Sequence, residues 1–181
     1  MAAASDFVIR AGTPGDADEI TDVQVASWRA GYVHVFPESV LYADDFDSSR
    51  RTFWKNWRFG PGHRVAVATE RIDDGTQRVI GFCSYGPERE RARGFTGRGE
   101  VWAFYVHPDR WGSGVATELM QYIEQRLKAE GFVTSVLWVL DDNPRARRFY
   151  ERQGWAPTGI AANFDDYCDV SVPEIEYRKE L

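Results

Sequence analysis

The sequence predicts a mixed α+β fold, a sheet with one parallel crossover and helices packed beside it. Three observations carry the prediction. Short apolar or alternating runs suited to strands recur at residues 7–10, 64–70, 78–85, 100–106, 134–140, 155–160 and 174–179. Asp73-Asp74-Gly75-Thr76 reads as a hairpin turn joining the second run to the third. Between the fourth and fifth runs, Val115, Leu119, Ile123 and Leu127 repeat every four residues, so a long helix separates two strands. A helix in that place implies a right-handed parallel crossover.

The remaining elements follow in order. Thr13-Pro14-Gly15-Asp16 starts a helix: Thr13 can cap, Pro14 suits the first turn, and Asp16 favours the positive end. Ile20, Val23 and Ser27 then recur at helical spacing, and the aromatic stretch 28–36 reads as a bend. Pro37 opens a second helix, and Asp47-Ser48-Ser49 restarts helix with Phe53, Trp54 and Trp57 on or near one face. Gly60-Pro61-Gly62 breaks the pattern. Residues 88–99 are charged and glycine-rich and read as a solvated loop. The long helix runs to about Glu130, where Gly131 stops it, and residues 143–153 form a last helix ended by Gly154. No repeat, linker or low-complexity tract divides the chain, so residues 1–181 read as a single domain.

Composition narrows the function. Apolar residues at 43% and aromatics at 14% suit a packed core. No run approaches the roughly 18 apolar residues of a membrane helix, and the N-terminal MAAASDFVIR has no basic start or long apolar stretch, so no signal peptide is expected. Acidic residues outnumber basic ones 28 to 22, a net charge of −6, which argues against nucleic acid and suits a cationic acceptor, although solubility accounts for it equally. Cys83 and Cys168 are far apart and read as buried or idle thiols of a reducing, cytoplasmic setting. No His/Cys cluster has metal-ligand spacing, so no metal is expected.

The stretch around Glu100–Thr117 is the most informative. An apolar strand runs into a turn with Gly112 and Gly114, and a helix follows at once. Glycines let the backbone pass close to a ligand, and the N–H groups of a helix start converge on one spot, which suits a phosphate or pyrophosphate. Dinucleotide-binding loops read G-x-G-x-x-G, but Thr117 fills the third place; a Walker loop needs a lysine that is absent. A tight turn without a ligand is the plain alternative.

The segment YVHPDRWGSGVATELM resembles the acyl-CoA pyrophosphate motif of the GNAT superfamily of N-acetyltransferases, Q/R-x-x-G-x-G/A after a strand end, here Trp111-Gly112-Ser113-Gly114-Val115-Ala116. Trp111 departs from Gln or Arg; backbone N–H groups can still bind phosphate, and Arg110 stands next door to replace a lost side-chain contact. A second segment, LWVLDDNPRARRFYERQGW, is similar to the superfamily's N-x-x-A-x-x-F-Y-x-x-x-G-F/W, with Asn143, Ala146, Phe149, Tyr150, Gly154 and Trp155 in register. VIRAGTPGDADEI and EIEYRKEL resemble the opening and closing elements, so the likeness spans nearly the whole chain. It implies a central mixed, mostly antiparallel twisted sheet flanked by helices, acetyl-CoA as co-substrate, and a cofactor site of Phe104, Tyr105, Val106, Trp111, Gly112, Ser113, Gly114, Val115, Ala116, Thr117, Asn143, Ala146 and Tyr150.

Acetyl transfer from a thioester to an amine needs a neutral amine, a stabilised oxyanion and a protonated leaving thiolate. Glu100, the only acid in its strand, is a candidate general base, directly or through water; a solvated strand-end acid is the alternative. The resemblance assigns Tyr150 to protonating the thiolate, against a core tyrosine with a satisfied hydroxyl, and places the thioester carbonyl at backbone N–H groups of residues 104–106. Arg145, Arg148 and Arg152 share a helix face and either help hold coenzyme A phosphates or are merely solvated.

On the acceptor side the resemblance points to Trp28, Tyr32, His34 and Phe36, and to Asn163, Phe164, Asp165, Asp166, Tyr167 and Asp169, with Glu100 shared. Aromatics with carboxylates suit a cationic amine; core packing competes for Trp28. The expected activity is N-acetylation of a small cationic primary amine, such as an aminoglycoside-type antibiotic, a polyamine or an amino acid. A protein N-terminus or lysine is the second reading, a non-catalytic acyl-CoA-binding module the third, and a nucleotide-binding oxidoreductase the last. The implied partner is a small-molecule amine, with no nucleic acid and no membrane, and a homodimer stays open.

Overall fold

The computed structural model describes residues 6–72, 75–89, 97–164 and 171–181. Seven strands are joined in one sheet: β1 (Phe7–Ala11), β2 (Arg64–Arg71), β3 (Gln77–Pro87), β4 (Gly99–Val106), β5 (Thr134–Leu140), β6 (Ala156–Phe164) and β7 (Val172–Glu180), in the order β1-β2-β3-β4-β5-β7-β6. The helices are α1 (Ala17–Gly31), α2 (Glu38–Leu41), α3 (Phe46–Lys55), α4 (Val115–Ala129) and α5 (Pro144–Arg152). Every strand run read from the sequence is present. β4 and β5 are parallel, pairing Gly99 with Ser135 through Val101 with Leu137, and α4 is the crossover between them. The pairs β1–β2, β5–β7 and β6–β7 are antiparallel. The sheet is the mixed, mostly antiparallel one expected.

The chain divides into two compact units, Met1–Ser84 with Ala103–Ile123, and Tyr85–Trp102 with Glu124–Leu181; β3 and β4 each pass from one unit into the other.

In the first unit, alternation along the strands sends side chains to two cores. Val65 and Val67 join Val79, Phe82, Ala103 and Tyr105 against Ala17, Ile20 and Val23 of α1 and Trp54 of α3. Ala68, Ile80, Phe104 and Val106 face the other way, against Val115 and Ala116 at the start of α4. The α1 start works as the sequence suggests. The Thr13 N–H and hydroxyl both donate to Asp16 Oδ2, at 2.8 and 2.9 Å, and Arg10 forks onto the same carboxylate. Burial raises the Asp16 pKa, yet these hydrogen bonds and the Arg10 charge outweigh it and hold the carboxyl below its usual range. A 3-10 turn at Pro14–Asp16 precedes the α-helix proper.

One boundary differs. Residues 28–31 are helical, where the sequence suggested a bend. Trp28 lies eight residues beyond Ile20 and so continues the buried face of α1. The bend begins only after Gly31.

In the second unit, Trp155 and Tyr177 are fully buried, with Tyr150 packed edge-on against Trp155, ring centroids 6.4 Å apart. Gly131, at φ +94°, ends α4 in the left-handed conformation that favours glycine. The ends of the expected solvated loop are tied rather than free. Glu88 N–H donates to Arg98 O at 2.9 Å, and the Arg98 guanidinium bridges Glu88 and the buried Glu176. Residues 90–96 of that loop lie outside the described residues.

Candidate active site

β4 ends at Val106, and a short turn carries the chain to α4. His107 N–H donates back to Ile80 O at 2.8 Å, and Pro108–Arg110 forms a 3-10 turn whose start is capped by His107 Nδ1 accepting from Asp109 N–H. Gly112 and Gly114 follow at φ +82° and +92°. A Cβ built on either would meet no atom within 4 Å, so each faces open space. Two glycines in left-handed conformation beside open space form a cradle that a side chain would fill. At a helix start the first N–H groups, here those following Gly114, point out of the helix, while Ser113 N–H donates to Arg110 O at 3.3 Å. The donor set suits an anion such as a pyrophosphate.

Trp111 and Arg110 both turn back onto this unit. The Trp111 indole N–H donates to Val106 O at 2.7 Å, and the side chain remains 39% exposed. Arg110 forks onto Glu70, with Nε and one terminal nitrogen each 2.8 Å from a carboxylate oxygen, and Arg78 donates to the same carboxylate. Burial raises the Glu70 pKa, but the hydrogen bonds from Arg78 and Arg110 outweigh it and hold the carboxyl below its ordinary value. Arg110, the residue placed by sequence to replace a phosphate contact at Trp111, is therefore engaged with Glu70.

In the same unit, at the residues the sequence assigned to the acceptor, Trp28 is buried within an aromatic cluster. It stacks on Phe36 at 5.2 Å, meets Tyr32 edge-on at 5.1 Å, and has the Arg50 guanidinium 4.4 Å above its ring. Its indole N–H donates to the Tyr105 hydroxyl at 3.0 Å. Trp28 is thus core, and its indole links α1 to β4 at Tyr105. Tyr32 is half-buried and His34 exposed.

In the second unit, Glu100 is 1% exposed, not solvated. Its two oxygens accept from Arg89, one from the backbone N–H at 2.7 Å and one from the guanidinium at 3.0 Å. Asn143 caps α5, its Oδ1 accepting from Ala146 N–H at 3.1 Å, and Pro144 occupies the first helical position. Tyr150 is buried on α5 among Phe149, Trp155 and Tyr177. Arg145, Arg148 and Arg152 are exposed. Arg147 is the arginine turned inward, onto Asp141 at 2.6 Å and the Tyr177 hydroxyl at 3.2 Å. Asp165, Asp166, Tyr167 and Asp169 lie outside the described residues.

Sequence reasoning passed over Ser27, Glu70 and Arg89. Ser27 carried a signal: a hydroxyl at a position of α1's apolar stripe, which the structure shows donating to Val106 O at 3.0 Å. Glu70 and Arg89 carried none, since their partners are 40 and 11 residues away. Among the described residues no helix is long and apolar enough to cross a membrane, and no group of three or more His, Cys, Asp or Glu could hold a metal ion.

Comparison with known proteins adds to this geometry. Residues 23–155 match the model of the acetyltransferase (GNAT) family. The uncharacterised N-acetyltransferase YuaI of Bacillus subtilis is 28% identical over 160 residues, covering 88% of this chain and 85% of its own. An L-methionine sulfoximine/L-methionine sulfone acetyltransferase of Pseudomonas aeruginosa is 29% identical over 133 residues, 71% of this chain and 74% of its own. Among solved structures, the PaiA N-acetyltransferase of Thermoplasma acidophilum in complex with coenzyme A superposes with a TM-score of 0.69 at 16% identity, covering 97% of this chain and 99% of that one.

Proposed function

The chain belongs to the acetyltransferase (GNAT) family, and from that premise we propose that it acetylates the primary amine of a small molecule, with amino-acid-like acceptors the leading class. It is an acetyl-CoA-dependent acyltransferase. The observation that carries the site assignment is the cradle at Gly112 and Gly114, two left-handed glycines beside open space at the start of α4. The cradle fits a pyrophosphate held by backbone N–H groups of the turn and helix start within residues 112–117, that of Ser113 being taken by Arg110 O. The acceptor class is supported by the relative that acts on L-methionine sulfoximine and sulfone, and by the aromatic cluster of Trp28, Tyr32 and Phe36 on α1 and the bend after it.

Acetyl-CoA supplies an activated acetyl group on a thioester. The residues have these roles in our reading. Backbone N–H groups of residues 104–106 stabilise the negative charge that develops on the carbonyl oxygen. Tyr150 donates a proton to the departing sulfur. Glu100 accepts the amine proton, and its burial with both oxygens bonded to Arg89 favours a water relay over direct contact. Asn143 acts through the α5 start that it caps, its Oδ1 accepting from Ala146 N–H, more than by touching phosphate. Asp165, Asp166 and Asp169 attract a cationic acceptor. Residues 1–181 act as one N-acetyltransferase domain, in the cytoplasm, where the buried free thiol of Cys83 stays reduced.

A panel of amines, including L-methionine analogues, polyamines, aminoglycosides and an N-terminal peptide, incubated with acetyl-CoA and followed by thiol release, tests the acceptor. Turnover highest with amino-acid-like amines supports the proposal; turnover confined to the peptide replaces it with the protein-acceptor reading. Glu100→Gln should lower kcat/KM most near neutral pH and less at high pH, where the amine is already deprotonated. A uniform loss across pH would make Glu100 structural.

A further inference from the structure

The turn between β4 and α4 is closed by a side chain as well as by backbone. Val106 and Trp111 are five residues apart, and the Trp111 indole N–H donates to Val106 O at 2.7 Å. The backbone within this span is already tight: Arg110 N–H reaches His107 O at 2.9 Å, and Trp111 N–H reaches Pro108 O at 3.1 Å. The same Val106 carbonyl accepts a second bond from the Ser27 hydroxyl of α1 at 3.0 Å. One carbonyl oxygen, with two lone pairs, is thus shared between the helix that carries Trp28 and the turn that carries Gly112 and Gly114. One residue along from Ser27, the Trp28 indole N–H donates to Tyr105 Oη at 3.0 Å, so α1 is fastened to β4 at two successive residues.

These contacts fix two donor groups against each other. The N–H groups of residues 104–106 belong to the strand end, and those of residues 112–117 to the turn and the helix start. A thioester and a pyrophosphate sit at a set distance along one molecule, so binding both requires a set spacing between the two donor groups. Rotation of the Val106 peptide, or a shift of Trp111, would change that spacing.

We propose that Trp111 and Ser27 are positioning residues for acetyl-CoA, acting through the shared carbonyl of Val106 rather than by touching the ligand. The proposal rests on the reading that the glycine turn binds coenzyme A phosphates. It also accounts for the aromatic residue at a place where the family motif has Gln or Arg: here the side chain serves the turn itself.

The test measures acetyl-CoA affinity by calorimetry and steady-state kinetics for wild type, Trp111→Phe, Ser27→Ala and Trp57→Phe. Trp111→Phe keeps the ring and removes the donor. Trp57 is the internal control, because its indole N–H also donates to a backbone carbonyl, His63 O at 3.3 Å, away from the turn. The loss of a single neutral hydrogen bond should weaken acetyl-CoA binding about three- to tenfold in Trp111→Phe and about two- to fivefold in Ser27→Ala, with kcat at saturation changed less than KM. Trp57→Phe should leave acetyl-CoA affinity unchanged, whatever it does to melting temperature. Wild-type affinity in both Trp111→Phe and Ser27→Ala would overturn the proposal. An equal loss in Trp57→Phe would overturn it too, by showing a general response to destabilisation. If Ser27→Ala folds poorly, Ser27→Thr keeps the hydroxyl and should retain near wild-type affinity, while Trp111→Phe alone decides. No acetyl-CoA binding by the wild type would instead sink the underlying assignment of the turn.

Discussion

At the junction of β4 and α4 the chain turns on Gly112 and Gly114, both left-handed, and leaves open space where side chains would stand. At the junction of β5 and α5 it turns on Asn143 and Pro144: the side chain of one caps the helix, and the other has no N–H to offer. Both are strand–turn–helix junctions, and each lies in one of the two segments that resemble the superfamily's motifs. In our reading the first offers backbone donors to a ligand. The second spends a donor, Ala146 N–H, on its own cap, and so makes a rigid base for the buried Tyr150 six residues after Pro144. On that reading the contrast is between N–H groups offered to an anion and N–H groups spent on a cap. On this account the α4 junction binds and the α5 junction holds a side chain for chemistry.

The largest effect sharpens the α5 half of the contrast. Tyr150→Phe should lower kcat about 10²-fold, the scale of a lost general acid, with acetyl-CoA affinity near wild type. Stopped assays of thiol release at saturating substrates, with binding measured separately, check both parts. A loss confined to affinity would move the α5 junction into the binding site and break the contrast.

A second test separates backbone strain from loss of the cradle. Gly131, at φ +94°, is as left-handed as Gly114 and also faces open space, but it ends α4 rather than starting it. Gly131→Val should cost stability of order 1–3 kcal/mol from the strained conformation, seen as a lower melting temperature, and leave acetyl-CoA affinity unchanged. A matching loss of affinity would mean that any strain on α4 is enough.

The smallest effect concerns Arg110, tied to Glu70 beneath the turn. The folded-state pKa of Glu70 is depressed, so the pair contributes stability above the unfolded carboxylate value and loses it as pH falls through the folded value. With 35% of the Arg110 side chain exposed, screening keeps this near 1 kcal/mol. Arg110→Gln should therefore be less stable than wild type by about 1 kcal/mol at pH 7, the gap closing below about pH 4, as denaturant melts at both pH values would record. A gap independent of pH would assign the loss to packing.

The elements of the fold were legible because their signals are local. Gly131 and Gly154 stop helices at residues the structure places in left-handed conformation, and the four-residue repeat from Val115 to Leu127 marks α4 as a buried crossover face. Trp28 was misplaced into a bend because aromatic crowding at 28–36 hid a helical face that only its burial on α1 reveals. The glycine turn was legible for the same local reason. What holds it was not: Ser27 reaches Val106 across 79 residues, and Arg110 reaches Glu70 across 40. The arginine stripe of Arg145, Arg148 and Arg152 was visible as spacing, yet the inward residue is Arg147, because its guanidinium finds Asp141 and Tyr177. Burial of Glu100 against Arg89 needed tertiary structure as well, since the loop between them carries no periodicity.

The most direct test sets one variant at each junction side by side. Acetyl-CoA is titrated into wild type, Gly114→Val and Asn143→Ala by calorimetry, with thermal melts of all three. Gly114→Val puts a branched side chain into the cradle and should weaken binding well over tenfold. Asn143→Ala removes a cap worth about 1 kcal/mol, so its melting temperature should fall by about 2–4 °C while affinity changes less than about threefold. Wild-type affinity in Gly114→Val, or a larger loss of affinity in Asn143→Ala than in Gly114→Val, would contradict the account.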